Sequence, residues 1–372
     1  MLLAIKGLAT GGAERLLVDT VATGDAASFD YEVACVMADL NNLAPRLADL
    51  GIPVHQLGAT GNLDVRWVPR FRRLLVEGRF DIVHFHLPYT AAIGRPTVLS
   101  LPSRSRPVTL YTEHCLWNKV SPPIKALNRL TVGTDRLVLA VSEASRGSLP
   151  DRLRRRARVV VHGIDQSLSP EVAAERPTIR RRIRKQLAVP DDDLLALTVA
   201  GLRAEKGYDL LLEAAHVVVG RNLPIRFAAA GDGTLAGELR ARHKALGLGE
   251  SFRFLGHRTD ILELMAAADV VVLPSHQDGL PVVVMEATSI GTPIVATAQG
   301  GLPQAIEDGV NGLLVPPGDP DALVDALARL AADTHLLAEL GRGALERRAA
   351  FDVARSTAEI EDLYRSLAAA RC

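Results

Sequence analysis

The stretch VVVLPSHQDGLPVVVMEATSIG, residues 270–291, decides the fold. Four apolar residues open it, a short polar turn follows, and Pro281 then suits the first turn of a helix that Gly291 can end. A buried strand that leads through a tight turn into a helix is the repeating unit of an α/β domain. The unit also carries two carboxylates, Asp278 and Glu286. Amides and the helix dipole there favour a phosphate, and nearby carboxylates can accept hydrogen bonds from sugar hydroxyls; alternatively, both acids only cap the helix.

The same alternation of strand and helix runs along the whole chain. Many of its apolar runs are β-branched throughout rather than alternating, as strands buried on both faces of a sheet should be. The repetition predicts parallel sheets with right-handed crossovers. The predicted strands are Leu2–Leu8, Tyr31–Met37, Ile52–Gly58, Asp81–His86, Val108–His114, Arg136–Ser142, Arg158–Ile164, Leu194–Leu202, Ile225–Gly231, Ser251–Gly256, Val270–Ser275, Pro293–Thr297 and Gly312–Pro317.

So many strands predict two domains, because one sheet of this width is implausible. The length of 372 residues is enough for two ordinary domains. The best break is Asp165–Pro177, which is polar, holds two prolines and lacks an apolar period. We therefore expect doubly wound, Rossmann-like domains at residues 1–166 and 167–351, joined by a hinge and facing a central cleft. Ligands should lie at the carboxyl ends of the strands that face this cleft. The helical stretch 352–372 should cap the second domain or pack back on the first.

Composition excludes several classes of function. Lys plus Arg equals Asp plus Glu at 43 each, so net charge gives no reason to bind nucleic acid. Aromatic residues make up only 4%, which argues against a stacking surface for single strands. The three cysteines have neither CxxC nor metal spacing and indicate reduced thiols. With no signal-peptide pattern and no apolar run of about 18 residues, the sequence predicts a cytoplasmic protein.

Three turns of the first half are candidate ligand sites. Gly11 and Gly12 lie between a strand and a helix, where backbone amides can approach a ligand closely. This turn is not GxGxxG, so a dinucleotide site is weakly supported, and a tight turn without a ligand is the alternative. His84 and His86 share one face of a strand, but without a third ligand packing or cleft lining is favoured over a metal. His114 ends the next strand and could hydrogen-bond a sugar or pass a proton, unless it is only structural.

The second half offers a charged turn. Arg203 and Lys206 follow a buried strand and precede a helix, and two cations at a helix start suit a diphosphate. A solvated charged loop is the alternative. Gly231 marks the next strand-to-helix turn, and His257 marks the one after, where backbone groups could recognise a nucleotide base.

Taken together and in order, these residues resemble the retaining glycosyltransferases of the GT4 family, which have the GT-B fold. Each motif is weak alone, but the ordered series covers almost the whole chain. It comprises Gly11–Glu14, His114, Val141–Glu143, His162–Asp165, Gly201–Arg203, Glu205–Gly207, Gly231–Gly233, Asp278–Glu286, Gly291–Pro293, Gly300–Gly301 and Asp308–Val315.

The resemblance implies a role for each of these site residues in a transferase that needs no metal and no cofactor. The two cations would hold the donor diphosphate, the first acid would lie near the transferred sugar and the second would bind the ribose. Backbone amides would contact the sugar and the phosphates, and one histidine would line the reaction centre. The two cations are Arg203 and Lys206, the first acid is Asp278 and the second is Glu286. Gly279 and Leu280 would contact the sugar, Gly11 and Gly12 the phosphates, and Gly231 and His257 would be further donor contacts. The histidine of the reaction centre is His114.

The sequence departs from the family's pattern at three positions. Asp278 stands where relatives have the first glutamate of an E-x7-E motif, which could change the donor sugar or weaken activity. Gln304 stands where many relatives have glutamate, and His162 where they usually have asparagine. Because of Asp278, a nucleotide-sugar-binding protein with weakened catalysis is the main alternative to a transferase. A nucleotide-sugar epimerase is a further alternative.

Neither the donor nor the acceptor can be predicted in detail. A UDP- or GDP-sugar is the expected donor, and the acceptor would be a hydroxyl of a glycan, a glycolipid or a small metabolite. The basic, amphipathic stretch 67–75 could contact an anionic membrane that carries a lipid-linked acceptor. A solvated helix face is the favoured interpretation of this stretch and of the basic runs 152–158 and 180–185.

Overall fold

A computed structural model describes residues 1–117 and 120–369. The chain forms two compact units, which we call unit 1 and unit 2. Unit 1 comprises Met1–Ile164 together with Asp352–Cys372, and unit 2 comprises Asp165–Phe351. The chain therefore passes from unit 1 into unit 2 and later returns to unit 1.

Unit 1 is built on a parallel sheet of seven strands in the order β3-β2-β1-β4-β5-β6-β7. Its strands are β1 Leu2–Ile5, β2 Glu32–Met37, β3 Val54–Ala59, β4 Ile82–His86, β5 Val108–Glu113, β6 Leu137–Ala140 and β7 Ala157–Val159. Its helices are α1 Gly12–Thr23, α2 Ala44–Asp49, α3 Trp67–Gly78, α4 Pro88–Leu99, α5 Pro122–Thr131, α6 Glu143–Ser148, α7 Asp151–Arg154 and, after unit 2, α17 Val353–Ala369.

Unit 2 has a parallel sheet of six strands in the order β10-β9-β8-β11-β12-β13. Its strands are β8 Leu194–Val199, β9 Ile225–Ala230, β10 Phe252–Gly256, β11 Val270–Leu273, β12 Ile294–Thr297 and β13 Gly312–Val315. Its helices are α8 Ser169–Ala174, α9 Arg176–Gln186, α10 Tyr208–Gly220, α11 Ala236–Ala245, α12 Ile261–Ala267, α13 Val282–Ser289, α14 Leu302–Ala305, α15 Pro320–Ala332 and α16 Thr334–Arg347.

Both sheets confirm the predicted α/β class. Every predicted strand is present, and the central ones, such as β1 and β11, are buried along their whole length. Burial on both faces explains why their sequences are continuously apolar. In both sheets the strand order reverses beside the first strand, between β1 and β4 in unit 1 and between β8 and β11 in unit 2. Doubly wound domains bind ligands at the carboxyl edge of such a reversal, which we call the switch edge.

The segment 165–177, predicted as the break between the two domains, begins where unit 1 ends and is largely helical. It contains α8 and the start of α9, and it belongs to unit 2. Pro170 and Pro177 both lie in the first turn of a helix, where a missing N–H costs nothing. The prolines therefore mark two helix starts. The Ser169 hydroxyl also donates a hydrogen bond of 2.8 Å to the Ser289 hydroxyl, which ties the segment to α13.

The last described helix, α17, packs on unit 1 and contacts α1. Ile360 and Tyr364 are both 1% exposed and join the core that lies against β1 and β4. Glu361 accepts hydrogen bonds from the Asp25 amide at 2.7 Å and the Tyr31 hydroxyl at 2.8 Å. The helix thus completes one face of the seven-stranded sheet.

The amphipathic stretch 67–75 forms most of α3, and its apolar side faces the protein. Trp67, Phe71 and Leu75 are buried in the core of unit 1. Core packing therefore accounts for the apolar periodicity, and the three aromatic and aliphatic side chains cannot insert into a bilayer. Among the described residues, none of the helices is both long and apolar enough to cross a membrane.

Candidate active site

The switch edge of unit 2 brings together two turns that are distant in sequence. One turn follows β8 and carries Arg203 and Lys206, and the other follows β11 and carries Asp278. Lys206 Nζ donates a hydrogen bond of 2.7 Å to Asp278 Oδ2, and both side chains are largely shielded from solvent. The predicted cation and the predicted carboxylate therefore meet at the edge where a ligand is expected.

The backbone around Lys206 is fixed by close packing. Residues Ala204–Lys206 form a 3₁₀ turn that ends at Gly207, whose φ of 68° is left-handed. A Cβ atom at this glycine would lie 1.9 Å from the carbonyl oxygen of Pro274, so no larger residue fits. The His276 amide also donates a hydrogen bond of 3.0 Å to the carbonyl of Glu205. These contacts lock the turn after β8 against the turn after β11.

Asp278 does not cap α13, so the interpretation of this acid as a helix cap is wrong. That helix begins at Val282, and its N-cap residue, Pro281, makes no side-chain hydrogen bond. Besides Lys206, the Asp278 carboxylate accepts a hydrogen bond of 3.1 Å from the Ser275 hydroxyl. Gly301 donates its amide to the Asp278 carbonyl at 3.1 Å, which holds the Asp278 backbone as well.

The remaining donor-site candidates in unit 2 have different degrees of exposure. Arg203 is 59% exposed and lies 3.7 Å from Glu205, so its guanidinium is available at the surface, unlike the Lys206 ammonium. Glu286 is 3% exposed within α13. The predicted sugar-contacting residues Gly279 and Leu280 are buried in the turn before that helix. Gly231 and His257 follow β9 and β10, and the Gly231 amide binds the Gly256 carbonyl at 2.8 Å, so the two turns lie side by side.

In unit 1, the turn after β1 leads directly into α1. Gly11 is the N-cap in an extended conformation without a side-chain hydrogen bond, and Gly12 is the first helical residue. Gly12 is exposed and Gly11 is half-buried, so the backbone at the start of α1 is accessible. Such a helix start can accept an anion, although the side chain of Glu14 approaches Gly11 closely.

Four histidines line the switch edge of unit 1. His84 and His86 come from β4, His114 follows β5, and His162 follows β7. Consecutive rings in this series have centroids 4.2, 5.3 and 5.6 Å apart. His86 Nδ1 and His114 Nε2 are 3.0 Å apart and share a hydrogen bond. The predicted reaction-centre histidine is therefore held by a histidine of the neighbouring strand.

All four imidazoles are held in the neutral form. Burial is the largest cause, and it lowers the pKa of His84 to about 3 and that of His162 to about 4. Burial and the neighbouring histidines place the pKa values of His86 and His114 well below the ordinary value. A neutral imidazole has one N–H donor and one acceptor nitrogen, so these rings can form hydrogen bonds without carrying charge.

Hydrogen bonding favours one arrangement of the His86–His114 pair. His86 Nε2 is buried and has no hydrogen-bond partner among the described residues. An unsatisfied buried N–H is rarer than an unsatisfied acceptor, so His86 should carry its proton on Nδ1 and donate it to His114 Nε2. Neutral His114 then carries its own proton on Nδ1.

Metal binding by His84 and His86 is not supported within the described residues, where no group of three or more potential ligands could hold an ion. His84 instead shares hydrogen bonds with the Tyr364 hydroxyl at 2.6 Å and the Thr112 hydroxyl at 2.7 Å. His84 therefore has the packing role that the sequence analysis favoured over metal binding. Neither Tyr364 nor Thr112 was predicted as a partner of His84, and Ser275 was not predicted beside Asp278. Of the three, only Ser275 could have been found, because it directly follows a buried strand.

Comparison with known protein families agrees with this architecture. The family described as "Glycosyltransferase Family 4" matches residues 10–168, and "Glycosyl transferases group 1" matches residues 179–347. The first match lies largely in unit 1 and the second entirely in unit 2. The fold and both matches define a GT-B glycosyltransferase. More narrowly, the chain belongs to the GT4 family, as the resemblance predicted.

Two relatives carry the same name. A D-inositol 3-phosphate glycosyltransferase of Saccharomonospora viridis is 36% identical over 55% of this chain, and the chain spans about half (51%) of that protein. A protein of the same name from Xylanimonas cellulosilytica is 31% identical over 77% of this chain and 72% of its own length. Among solved structures, Anabaena HepE in complex with UDP-glucose has a TM-score of 0.81 and 24% identity, with 98% of this chain and 99% of that chain covered.

Proposed function

We propose that this glycosyltransferase moves a sugar from a nucleoside-diphosphate donor to an acceptor hydroxyl with retention of the anomeric configuration. The observation that carries the proposal is the Lys206–Asp278 ion pair at the switch edge of unit 2. A cation fixed at the start of a helix suits a diphosphate, and a carboxylate beside it suits a sugar hydroxyl. Neither a metal nor an organic cofactor takes part.

Charge development explains the proposed roles in unit 2. The sugar passes through an oxocarbenium-like transition state while the nucleoside diphosphate leaves with added negative charge. Lys206 is already oriented by Asp278, whose carboxylate also accepts a hydrogen bond from Ser275, so it stabilises this charge without rearranging first. The exposed Arg203 adds a second, more mobile cation. Glu286 binds the ribose, and the backbone around Gly279 and Leu280 contacts the sugar.

The neutral histidines suggest the proposed role of unit 1. Neutral His114 donates its Nδ1 proton in a hydrogen bond to a sugar hydroxyl, because its Nε2 already accepts the hydrogen bond from His86. Burial keeps the ring neutral, and the leaving diphosphate takes the acceptor proton. The amides of Gly11 and Gly12 contact the phosphate side of the donor.

A UDP-sugar is the first donor to test, since HepE was crystallised with UDP-glucose. For the acceptor, the name of the two relatives suggests a small phosphorylated polyol, and D-inositol 3-phosphate is the first candidate. The chain spans 51% and 72% of those proteins, so a different hydroxyl acceptor is compatible with the same donor site.

The test is a matrix of UDP-, GDP- and ADP-sugars against D-inositol 3-phosphate and unphosphorylated polyols, with released nucleotide as the readout. Proton NMR of the product reports the anomeric configuration, and an excess of EDTA reports metal dependence. We expect one donor to give acceptor-dependent release that EDTA does not change. Inversion at the anomeric carbon or loss of turnover in EDTA would contradict the proposal.

One observation favours a second candidate, a nucleotide-sugar-binding protein with little turnover. The Asp278 carboxylate is short for its position in the family's motif and is held by Lys206 and Ser275. If this contact withholds Lys206 from the leaving group, donor binding should occur without nucleotide release. Calorimetric binding of the same nucleotide sugars, run beside the turnover matrix, separates the two functions, and the appearance of an isomerised donor would identify an epimerase.

A further inference from the structure

Unit 2 contains a cavity at the edge of its sheet opposite to the switch edge. The cavity has a volume of about 400 Å³ and lies beside the residues that precede β11 and β12, Asp269 and Pro293. Strands of a parallel sheet begin at one edge and end at the other, so this cavity is separate from the turns that carry Lys206 and Asp278. We call it the rear cavity.

The rear cavity has one apolar wall and one basic wall. Small and aliphatic side chains from the end of α12 and from α16 form the apolar wall, including Ala268 and Leu337. Arg176 and Arg180, one turn apart on α9, and Arg342 of α16 form the basic wall. Helical residues four apart lie on the same face, which explains why the two arginines of α9 line one space.

Arg176 is the most unusual of these arginines because no carboxylate among the described residues is bonded to it. Its guanidinium donates a hydrogen bond of 2.5 Å to the Thr292 hydroxyl, and its Nε is buried without a partner among the described residues. Burial is the largest cause that lowers the pKa of Arg176, and the charge of Arg180 is the next. The fold thus holds a partly desolvated cation beside another cation, which is costly without an anion.

Asp269, the only carboxylate among the described residues that line the cavity, attracts Arg176 but is already bonded to other arginines. Asp269 pairs with Arg180 at 2.6 Å and with Arg184 at 2.9 Å, and it also accepts a hydrogen bond from the Leu195 amide at 2.7 Å. One negative charge therefore serves two arginines that are already bonded to it. Arg342 lies 3.7 Å from Glu339, and both are exposed, so this pair is weak.

We propose that the rear cavity binds the oxyanion of a small molecule, a phosphate or carboxylate group. Arg176 would make the main contact, Arg342 would add a mobile second one, and the apolar wall would receive the rest of the ligand. Arginine suits this role because its planar group donates two parallel hydrogen bonds to an oxyanion. The proposal does not depend on the reaction at the switch edge.

Inorganic phosphate is the probe, and isothermal calorimetry on the full chain is the measurement. Phosphate can also bind at the turn that carries Lys206. The parent for this test is therefore the Lys206→Ala variant, in which phosphate binding at that turn is weakened. Loss of a charge-assisted hydrogen bond should raise the Kd at least about tenfold in Arg176→Gln and by less in Arg342→Gln. Arg182→Gln is the matched control, because Arg182 lies on the same helix but pairs with Glu263 outside the cavity.

Stability provides an independent readout. In phosphate-free buffer of low ionic strength, Arg176→Gln should melt at the same temperature as the parent or higher, because it removes a cation that has no bonded carboxylate among the described residues and its amide can still bond Thr292. Phosphate should raise the melting temperature of the parent and of Arg182→Gln but not that of Arg176→Gln, with sodium chloride of equal ionic strength as the control. Equal phosphate binding by Arg176→Gln and the parent, or no binding by either, would overturn the proposal.

Discussion

Units 1 and 2 have the same strand order around their reversal but carry opposite chemistry there. The switch edge of unit 2 carries formal charges, with Lys206 and Asp278 bonded at 2.7 Å and Arg203 exposed beside them. The switch edge of unit 1 carries buried imidazoles that are neutral at pH 7, such as His84 and His162. The doubly wound sheet determines only where a site can lie. The side chains at the strand ends determine whether that site presents formal charges or neutral hydrogen-bonding groups.

The largest expected effect comes from removing the cation of unit 2. Lys206→Ala should lower kcat/KM by about 10²–10³-fold, because a preoriented donor to the leaving group is lost. Steady-state kinetics with the active donor provides the measurement, and scanning calorimetry checks that unit 2 still melts cooperatively. Lys244→Ala, on the exposed face of α11, is the control and should keep full activity. Normal turnover of the Lys206→Ala enzyme would show that the cation at the switch edge of unit 2 takes no part in the mechanism.

Gly207→Ala tests whether the stability of unit 2 depends on the tight backbone packing of the turn that carries Lys206. The new methyl group would overlap the Pro274 carbonyl and require a left-handed residue, so unit 2 should lose about 2–4 kcal/mol of unfolding free energy. Gly237→Ala is the matched control, because that helical glycine has nothing within 4 Å and should gain about 0.5–1 kcal/mol. Chemical denaturation followed by circular dichroism compares the two; similar stabilities would contradict the packing argument.

Acid should destabilise unit 1 through its histidines. The folded pKa of His162, about 4, lies below the unfolded value of about 6.5, so its stabilising contribution is complete above pH 6.5 and is lost as pH falls towards 4. Between pH 7 and pH 5 this one group should cost on the order of 2 kcal/mol. The only tryptophans, Trp67 and Trp117, are both in unit 1, so their fluorescence reports its denaturation separately.

His162→Asn sharpens this test, since asparagine is the residue that relatives usually carry and it cannot titrate. The variant should lose less stability between pH 7 and pH 5 than the parent, by about the same 2 kcal/mol. His216→Asn, at an exposed position of unit 2, should leave the fluorescence-detected pH dependence unchanged. An unaltered acid response in His162→Asn would show that its imidazole is not buried in the neutral form.

The His86–His114 hydrogen bond should have a smaller effect, on turnover. His86→Leu removes the proton donated to His114 and should lower kcat about tenfold, whereas the amide of His86→Asn can replace Nδ1 and should restore part of the rate. The pair is also tested by a double-mutant cycle: in a His114→Ala background, His86→Leu should have little further effect. Independent, multiplicative effects would show that His86 does not act through His114.

The smallest expected effect is that of Asp278→Glu, which restores the usual length of this acid in the family. The longer side chain should keep the bond to Lys206 with a small shift, so turnover with the best donor should change only a few-fold while the preference among donor sugars changes more. Relative kcat/KM values across the donor panel provide the measurement. Asp278→Asn, which removes the charge, should be clearly worse than Asp278→Glu; equal activities would show that the carboxylate is not needed.

The fold could be predicted because each strand carries its own signal. Apolar, β-branched runs such as Val270–Leu273 are buried on both faces and need no knowledge of their neighbours. The Lys206–Asp278 contact spans 72 residues, and the His84–Tyr364 contact spans 280, so no local pattern reports them. Turn chemistry predicted that Asp278 follows a strand and that Glu286 lies in the next helix, but it did not predict the bond from Lys206 to Asp278. Pro170 and Pro177 misled the reading of the segment before unit 2, because proline signals a helix start as well as a break.

The return of the chain to unit 1 through α17 sets an order for biosynthesis. The hydroxyl that bonds His84 belongs to Tyr364, so this face of the seven-stranded sheet stays uncovered while Asp165–Phe351 is being translated. At typical rates of synthesis this interval lasts about 10–40 s. Unit 2 can fold on the ribosome in that time, whereas unit 1 must wait with an apolar surface exposed. Chaperones that recognise nascent chains should therefore bind unit 1 for longer than unit 2, although unit 1 is synthesised first.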